Sequence, residues 1–558
     1  MLFKSKSSKI KMLNPEDIFA DPRGLHAERL EFPLRRKKII GLYAFIGLAL
    51  GILFLRAGYL QIIKGKEFTV LANNNQSHLT KIQPKRGIIY DRNMQALVQN
   101  KQSLSSNEPS KRYYFFGKTL AHVLGYTGKI SQKELEKCKN CSMLDYTGKA
   151  GLEMIYEIEL RGKHGIKQDQ INAKGQVKKS FIKIPEIDGK NLILHLDLEL
   201  QKKLYQELES QAIKLKIKKA AGVIINPKNG GVLAMASLPS YDNNLFSQGI
   251  LKKDYQDLIN NNNKPLFNRV ISGEYPPGST IKPVIASAAL QEEIIDPMRF
   301  INDNGYIKIA NPYDPGVIYT FSEIRAHHRI NMPWAIANSC NVYFYTISGG
   351  YKDIKGLGIK NIKKYAEYFG LNNFLGIDLP GETNGLIPDK SWKKRVKSEN
   401  WYIGDTYNSG IGQGDITATP LQVAMYTSVI ANNGTLYQPQ ILNKIVDNNK
   451  LSTDLTEKII RKNFIDLENL KIIQDGMEKI NQVGFGLKLQ DLPITVAGKT
   501  GTSQFGNENK THAWFTSYAP AEKPEIVITI LMEQGGFGSS GALPVAKNIY
   551  KWYFSNKE

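Results

Sequence analysis

Residues 39–55 run without a charge, and apolar character resumes past Arg56 at Tyr59, Leu60, Ile62 and Ile63. A bilayer-crossing helix needs ~20 such residues, with ~17 as the lower limit. The pattern therefore predicts one transmembrane anchor over residues 39–63. Arg56 lies near its end, where a long side chain reaches back to the interface. Arg35, Arg36, Lys37 and Lys38 stand just before the span, and a basic flank marks the cytoplasmic side. Residues 1–38 are expected to form a cytoplasmic tail, with the bulk of the chain outside. The apolar run starts well inside the chain and no small-x-small site follows it, so it reads as a retained anchor rather than a cleaved signal.

Beyond the span the pattern loosens. Residues 64–190 mix short β-like runs with turns, as expected of a small mixed pedestal module. Within it, residues 85–93 read as a short strand flanked by turn chemistry. Residues 99–111, rich in Ser, Asn and Lys, read as an exposed loop. From residue 191 the texture changes. Leu200, Leu204 and Leu208 have helical spacing, and residues 221–225 and 232–236 read as strands joined by the turn Lys228-Asn229-Gly230-Gly231. Residues 494–496, 513–518 and 526–531 read as three more strands, with helical segments between the two sets. Strands at both ends of residues 191–558 predict an α+β domain, a central antiparallel sheet covered by helices.

At 558 residues the chain exceeds one ordinary domain, since most hold ~100–200 residues. Its net charge of +22 suits a polyanionic neighbour, such as nucleic acid, an anionic membrane or a wall polymer. A general lysine bias gives the same excess, so charge alone chooses none of them. Three cysteines exclude a disulfide-framework fold. Cys138 and Cys141 form a C-x-x-C pair, which fits a redox site, half a zinc site or a local disulfide. An oxidising compartment outside the cytoplasm favours the disulfide.

The candidate chemistry starts at Ser279. The turn Tyr275-Pro276-Pro277-Gly278 runs into an apolar helical stretch, which places Ser279 at a helix N-terminus with Lys282 three residues on, on the same face. A neighbouring amine can take the hydroxyl proton, and helix N–H groups favour developing negative charge. S-x-x-K also occurs at Ser8, Ser180 and Ser391, so context must choose. Ser339-Cys340-Asn341 follows sixty residues later, and Lys499-Thr500-Gly501-Thr502 comes after the strand expected at 494–496. The ordered triple S-x-x-K, S-x-N, K-T-G is the signature of penicillin-recognising acyl-serine enzymes.

At these residues the chain resembles the class B penicillin-binding proteins, and among them the elongation-type branch, penicillin-binding protein 2. The likeness includes Pro84-Lys85-Arg86-Gly87, Tyr90-Asp91-Arg92-Asn93 and Tyr146-Thr147-Gly148-Lys149. It continues at Gly412-Gln413-Gly414, Thr419-Pro420-Leu421-Gln422 and His512-Ala513-Trp514-Phe515. The resemblance implies a peptidoglycan D,D-transpeptidase of cell elongation, inhibited by β-lactams and held at the inner membrane. It implies that Ser279 attacks the bond between two terminal D-alanines and that Lys282 is the base. Ser339 would pass a proton to the leaving amine and Asn341 would hold the substrate amide. Lys499 would raise the local potential, Thr500 and Thr502 would bind the terminal carboxylate beside Gly501, and the Ser279 and Thr502 N–H groups would form the oxyanion hole.

The implied partners are peptidoglycan stem peptides, a SEDS-type, RodA-like glycosyltransferase of the elongation complex, and the membrane through one helix, with no nucleic acid and no cofactor. Some relatives bind zinc near this region, which makes Asp314, His327 and His328 candidate ligands, although no complete ligand set is visible. The chain departs from the family in a shortened pedestal, where only residues 99–112 replace a larger subdomain, and in Asn341, where elongation-type members often carry Asp. A β-lactamase or β-lactam sensor, a D,D-carboxypeptidase and a catalytically silent scaffold are the alternative readings.

Overall fold

The computed structural model describes residues 36–101, 110–138, 141–172, 176–247, 249–311, 314–323, 325–447, 452–505 and 508–555. The S-x-x-K at Ser8, most of the expected tail and residues 102–109 of the expected loop lie outside the described residues. The chain divides into two compact units, residues 1–79 with 168–180, and residues 80–167 with 181–558.

In the first unit, α1 (Arg36–Gly58) continues through a π-turn at Tyr59–Ile63. Together they make 28 residues, none of them buried, and the one helix among the described residues long and apolar enough to cross a membrane. Side chains that are apolar on every face cannot find a core to bury one stripe against, which is the mark of a lipid-facing helix.

The second unit begins with part of the pedestal. Residues 99–101 and 111 are not loop: Val98–Lys101 and Lys111–Tyr114 pair as antiparallel strands. Polar composition misled the reading because this ribbon is stapled by charge. Glu153, fully buried, receives Arg86 Nη2 at 2.6 Å and Arg112 Nε at 2.8 Å. Burial would raise its carboxyl, but the Arg112 and Arg86 guanidiniums more than offset that and hold it below the usual range. Removing one partner of such a cluster leaves buried charge uncompensated, so Glu153→Gln is expected to cost about 3–5 kcal/mol, read from thermal or urea unfolding. Cys138 and Cys141 form a disulfide, the favoured one of the three readings. Ile89–Tyr90 pairs in parallel with Asn191–Leu194, which pairs in turn with Leu442–Val446. Strands on both sides of residue 190 thus share one sheet.

The catalytic part runs in chain order through α2 (Leu198–Lys214), β1 (Ala220–Ile225), β2 (Val232–Leu238), α3 (Lys282–Gln291), α4 (Met332–Asn338), α5 (Asn341–Gly349), α6 (Pro420–Ala431), β3 (Ala497–Phe505), β4 (Glu508–Ala519), β5 (Ile526–Met532) and α7 (Leu543–Ser555). The five strands form one antiparallel sheet in the order β2-β1-β5-β4-β3, the α+β architecture expected. Both faces are covered. On one, Leu200, Leu204 and Leu208 of α2 and Val545 and Ile549 of α7 pack with Ile224, Ile528 and Ile530. On the other, α6 packs with Val223, Ile225, Val527 and Leu531. Alternate residues of each strand therefore meet different but equally apolar layers, which is why β1 and β5 read as continuous hydrophobic runs. Gly222 has no room for a side chain: a Cβ there would lie 2.7 Å from Leu204 Cδ1.

The second expected set of strands is corrected at one point. Residues 494–496 precede the strand, and β3 itself begins at Ala497 and contains Lys499-Thr500-Gly501-Thr502. It is an edge strand whose inner positions must stay small, because a Cβ on Gly501 would meet Thr280 Cγ2 at 2.9 Å. Glycine and polar residues at that edge hide the strand from a hydrophobic-pattern reading.

Candidate active site

Ser279 lies in a 3₁₀ turn, Gly278–Ile281, that feeds directly into α3. The turn is braced on every side. Trp514 Nε1 of β4 donates to Pro276 O at 3.0 Å, Tyr426 of α6 donates to Thr280 Oγ1 at 2.8 Å, and Gly278 N donates to Gly412 O at 2.9 Å. Tyr275 exchanges backbone hydrogen bonds with Ala418. A nucleophile on so fixed a turn loses little freedom on reaction. Of the other S-x-x-K serines described, Ser180 donates to Asp169 and Ser391 to Asp389.

Lys282 is fully buried one turn on. Its Nζ contacts Asn341 Oδ1 at 2.6 Å, Ser339 O at 2.7 Å and Ser339 Oγ at 3.2 Å. The first two are carbonyl oxygens and can only accept, so they take two N–H groups. The third contact is a hydroxyl, which can give or take a hydrogen. None of the three is Ser279 Oγ; catalytic hydrogen bonds of this kind tighten when substrate arrives. Burial lowers the Lys282 ammonium to about 8, against smaller opposing effects of Glu323 and Cys340. That brings a lysine near the operating range of a general base.

Ser339 reaches the amine because α4 ends on it in the left-handed conformation, φ 61°, and α5 begins at Asn341. The reversal turns both side chains of the S-x-N toward Lys282. Lys499 is buried on β3 with its Nζ 3.0 Å from Thr500 O. Burial, then the like charge of Lys282, pushes its ammonium well down. The Thr502 hydroxyl accepts from Gly538 N at 3.2 Å. Ser279, Ser339, Asn341, Thr500 and Thr502 all line one cleft of about 530 Å³, so the three motifs read from the sequence converge. Sequence reasoning gave no role to Gln413, Arg325, Phe485 and Phe537, which line the same cleft. Only Gln413 carried a signal, as the centre of Gly412-Gln413-Gly414.

The metal candidates are redrawn. His327 Nδ1 lies 2.8 Å from Asp303 Oδ2, and Cys340 Sγ donates to the same oxygen at 3.4 Å. Ligand atoms of Asp303, Glu323, His327 and Cys340 all lie within 4.8 Å of one another. Asp314 and His328 are exposed on strands Asp314–Ser322 and His328–Ile330 and stand outside this group. The ribbon Tyr306–Asn311 and Asp314–Ser322 separates Asp303 from Glu323 in sequence and folds them together in space.

Residues 220–551 match the family described as the penicillin binding protein transpeptidase domain. The chain belongs to that family. Residues 104–194 match the penicillin-binding protein dimerisation domain. The peptidoglycan D,D-transpeptidase MrdA of Haemophilus influenzae is 31% identical over 616 aligned positions, covering 92% of this chain and 91% of that protein. Pseudomonas aeruginosa PBP2, solved with WCK 5153, superimposes with a TM-score of 0.74 and 32% identity over 85% of this chain and 96% of that one. Helicobacter pylori PBP2, solved as a complex with MreC, gives 0.73 and 28% over 86% and 99%. This penicillin-binding protein is a serine-type peptidoglycan D,D-transpeptidase.

Proposed function

We propose that it cross-links stem peptides during elongation through an acyl-Ser279 intermediate. The observation that carries this reading is the convergence of Ser279, Ser339, Asn341, Thr500 and Thr502 on one cleft, with Lys282 buried behind them. Lys282, as the neutral amine, takes the Ser279 proton while Oγ attacks the penultimate D-alanine carbonyl. The oxyanion forms against the Ser279 and Thr502 N–H groups. The proton returns through the Ser339 hydroxyl to the leaving D-alanine amine. Asn341 holds the donor's amide, and Thr500 and Thr502 hold its terminal carboxylate beside Gly501, with Lys499 answering the charge. A second stem peptide's amine then takes the acyl group and Ser279 regains its proton.

The test pairs a D-Ala-D-Ala-terminated stem peptide with an amine-bearing acceptor peptide. D-alanine release with a cross-linked product is expected. Hydrolysis alone, with acceptor present, would make the protein a carboxypeptidase, and rapid turnover of penicillin would make it a β-lactamase.

Residues 39–63 are proposed to anchor the chain in the inner membrane, with residues 1–38 cytoplasmic, residues 64–190 as pedestal and residues 191–558 as the transpeptidase domain outside. The basic flank before α1 supports that orientation. The complex of the Helicobacter pylori protein with MreC supports a place in an elongation assembly. The anchor and pedestal are the proposed contacts with a SEDS-type, RodA-like glycosyltransferase.

One sulfur, one imidazole and two carboxylates suit a four-coordinate zinc ion. Asp303, Glu323, His327 and Cys340 would hold it, and it would supply a cross-link beside the S-x-N. Chelation is expected to lower the melting temperature by several degrees, with recovery on adding Zn²⁺. Metal analysis that finds no zinc in the purified protein would contradict this.

A further inference from the structure

The turn Gly412-Gln413-Gly414 contacts the residue before one oxyanion donor and the residue that carries the other. Gly412 and Gly414 have φ of 73° and 75°, and the turn closes back on the helix Ile403–Gly410 through Gln413 N to Asn408 O at 2.9 Å. Its backbone accepts from Gly278 N, the residue before the nucleophile, at 2.9 Å. The approach is tight: a Cβ on Gly412 would lie 2.2 Å from Gly278 O. Its side chain reaches the other way, and Gln413 Nε2 donates to Thr502 O at 3.2 Å.

Strand geometry gives that second contact its meaning. In an antiparallel strand the N–H and C=O of one residue point to the same side. Thr500 O takes Lys499 Nζ and Thr502 O takes Gln413 Nε2, so the peptide groups of Thr500 and Thr502 face the cleft rather than β4. The Thr502 N–H, the second oxyanion donor, therefore faces the cleft beside the carbonyl that Gln413 holds. One three-residue turn thus grips the residue before Ser279 with its backbone and Thr502 with its side chain.

The geometry points to Gln413 as a positioning residue that sets the spacing of the two oxyanion donors by hydrogen-bonding the Thr502 carbonyl. The inference rests on the assignment of the Ser279 and Thr502 N–H groups as that hole. A side chain that only bound substrate would change affinity, and one that only filled space would change stability. A residue that aligns the hole changes the acylation step.

The experiment uses the full chain in detergent, with stopped-flow acylation by a chromogenic cephalosporin separating the non-covalent binding constant from the acylation rate constant. Gln413→Glu and Gln413→Met keep the side-chain length but lose the donor at neutral pH. Both are expected to lower the acylation rate constant by about tenfold to a hundredfold, less than the ~10²–10³ for losing a donor outright, with the binding constant and melting temperature unchanged. Both should weaken a boronic acid, whose tetrahedral adduct places an oxygen in the hole. As the pH falls toward the ~4.3 of an ordinary Glu carboxyl, Gln413→Glu should recover relative to Gln413→Met, because a protonated carboxyl again donates to Thr502 O. An unchanged acylation rate constant in both variants, a change confined to the binding constant, or equal losses in Glu and Met at every pH would overturn the proposal. If the wild type itself forms no adduct, the failure lies with the Ser279 assignment instead.

Discussion

Ser279→Ala is expected to abolish cross-linking and D-alanine release while leaving the fold and non-covalent donor binding intact. The nucleophile's turn is held by Trp514, Tyr426 and Gly412 rather than by the Ser279 side chain, so removing one oxygen disturbs nothing that supports it. The carboxylate subsite proposed at Thr500 and Thr502 on β3 does not use the Ser279 oxygen and is expected to survive. The loss should reach ~10⁴-fold or more in turnover, the scale seen when an acyl-forming nucleophile is removed. Turnover is followed by D-alanine release, and binding by calorimetric titration of the variant with the donor stem peptide. Residual turnover within about a hundredfold of the wild type would place the nucleophile elsewhere.

Lys282→Met is the second large effect. It removes the amine that Asn341 Oδ1, Ser339 O and Ser339 Oγ surround, and general-base catalysis is worth ~10²–10⁴ in rate. Acylation should fall by that factor. The pH profile gives the sign check. The base acts only when neutral, and burial lowers its ammonium to about 8. Wild-type acylation should therefore rise with pH, about tenfold per unit, and level off above pH 8. In Lys282→Met that limb should disappear and the residual rate should be flat. The same limb persisting in the variant would assign it to another group, Lys499 first. The variant leaves two half-buried carbonyl acceptors without the Lys282 donor, a cost below the ~1–3 kcal/mol of a fully buried group, so its melting temperature should be measured beside its rate.

How much of this was legible in the sequence differs by element. The hairpin of β1 and β2 and the strands β4 and β5 were readable because both their faces are buried and the runs are apolar. The membrane helix was readable because its run is apolar on every face, although none of it is buried. β3 was not, since Gly498, Gly501 and the polar Lys499, Thr500 and Thr502 serve the site and not the core. The hydrophobic pattern therefore placed the strand at the apolar residues 494–496 just before it. The motif triple located Ser279, Lys282, Ser339, Asn341 and Lys499 by residue type and order. It could not show that Lys282 is held by the S-x-N rather than by Ser279, because that contact depends on the left-handed turn at Ser339. Of the cluster Asp303, Glu323, His327 and Cys340 only His327 was singled out as a ligand from the sequence, because Asp303 and Glu323 are joined by a β-ribbon that no local spacing reveals. Gln413 was visible as a motif but mute until β3 was known to be an edge.

The most direct test of the central claim is intact-mass measurement of the full chain after incubation with a β-lactam, followed by peptide mapping. A single adduct of the whole inhibitor mass on the peptide carrying Ser279, lost slowly, is the expected result. An adduct mapped to another residue, or none on a folded protein, would contradict an acyl-Ser279 mechanism.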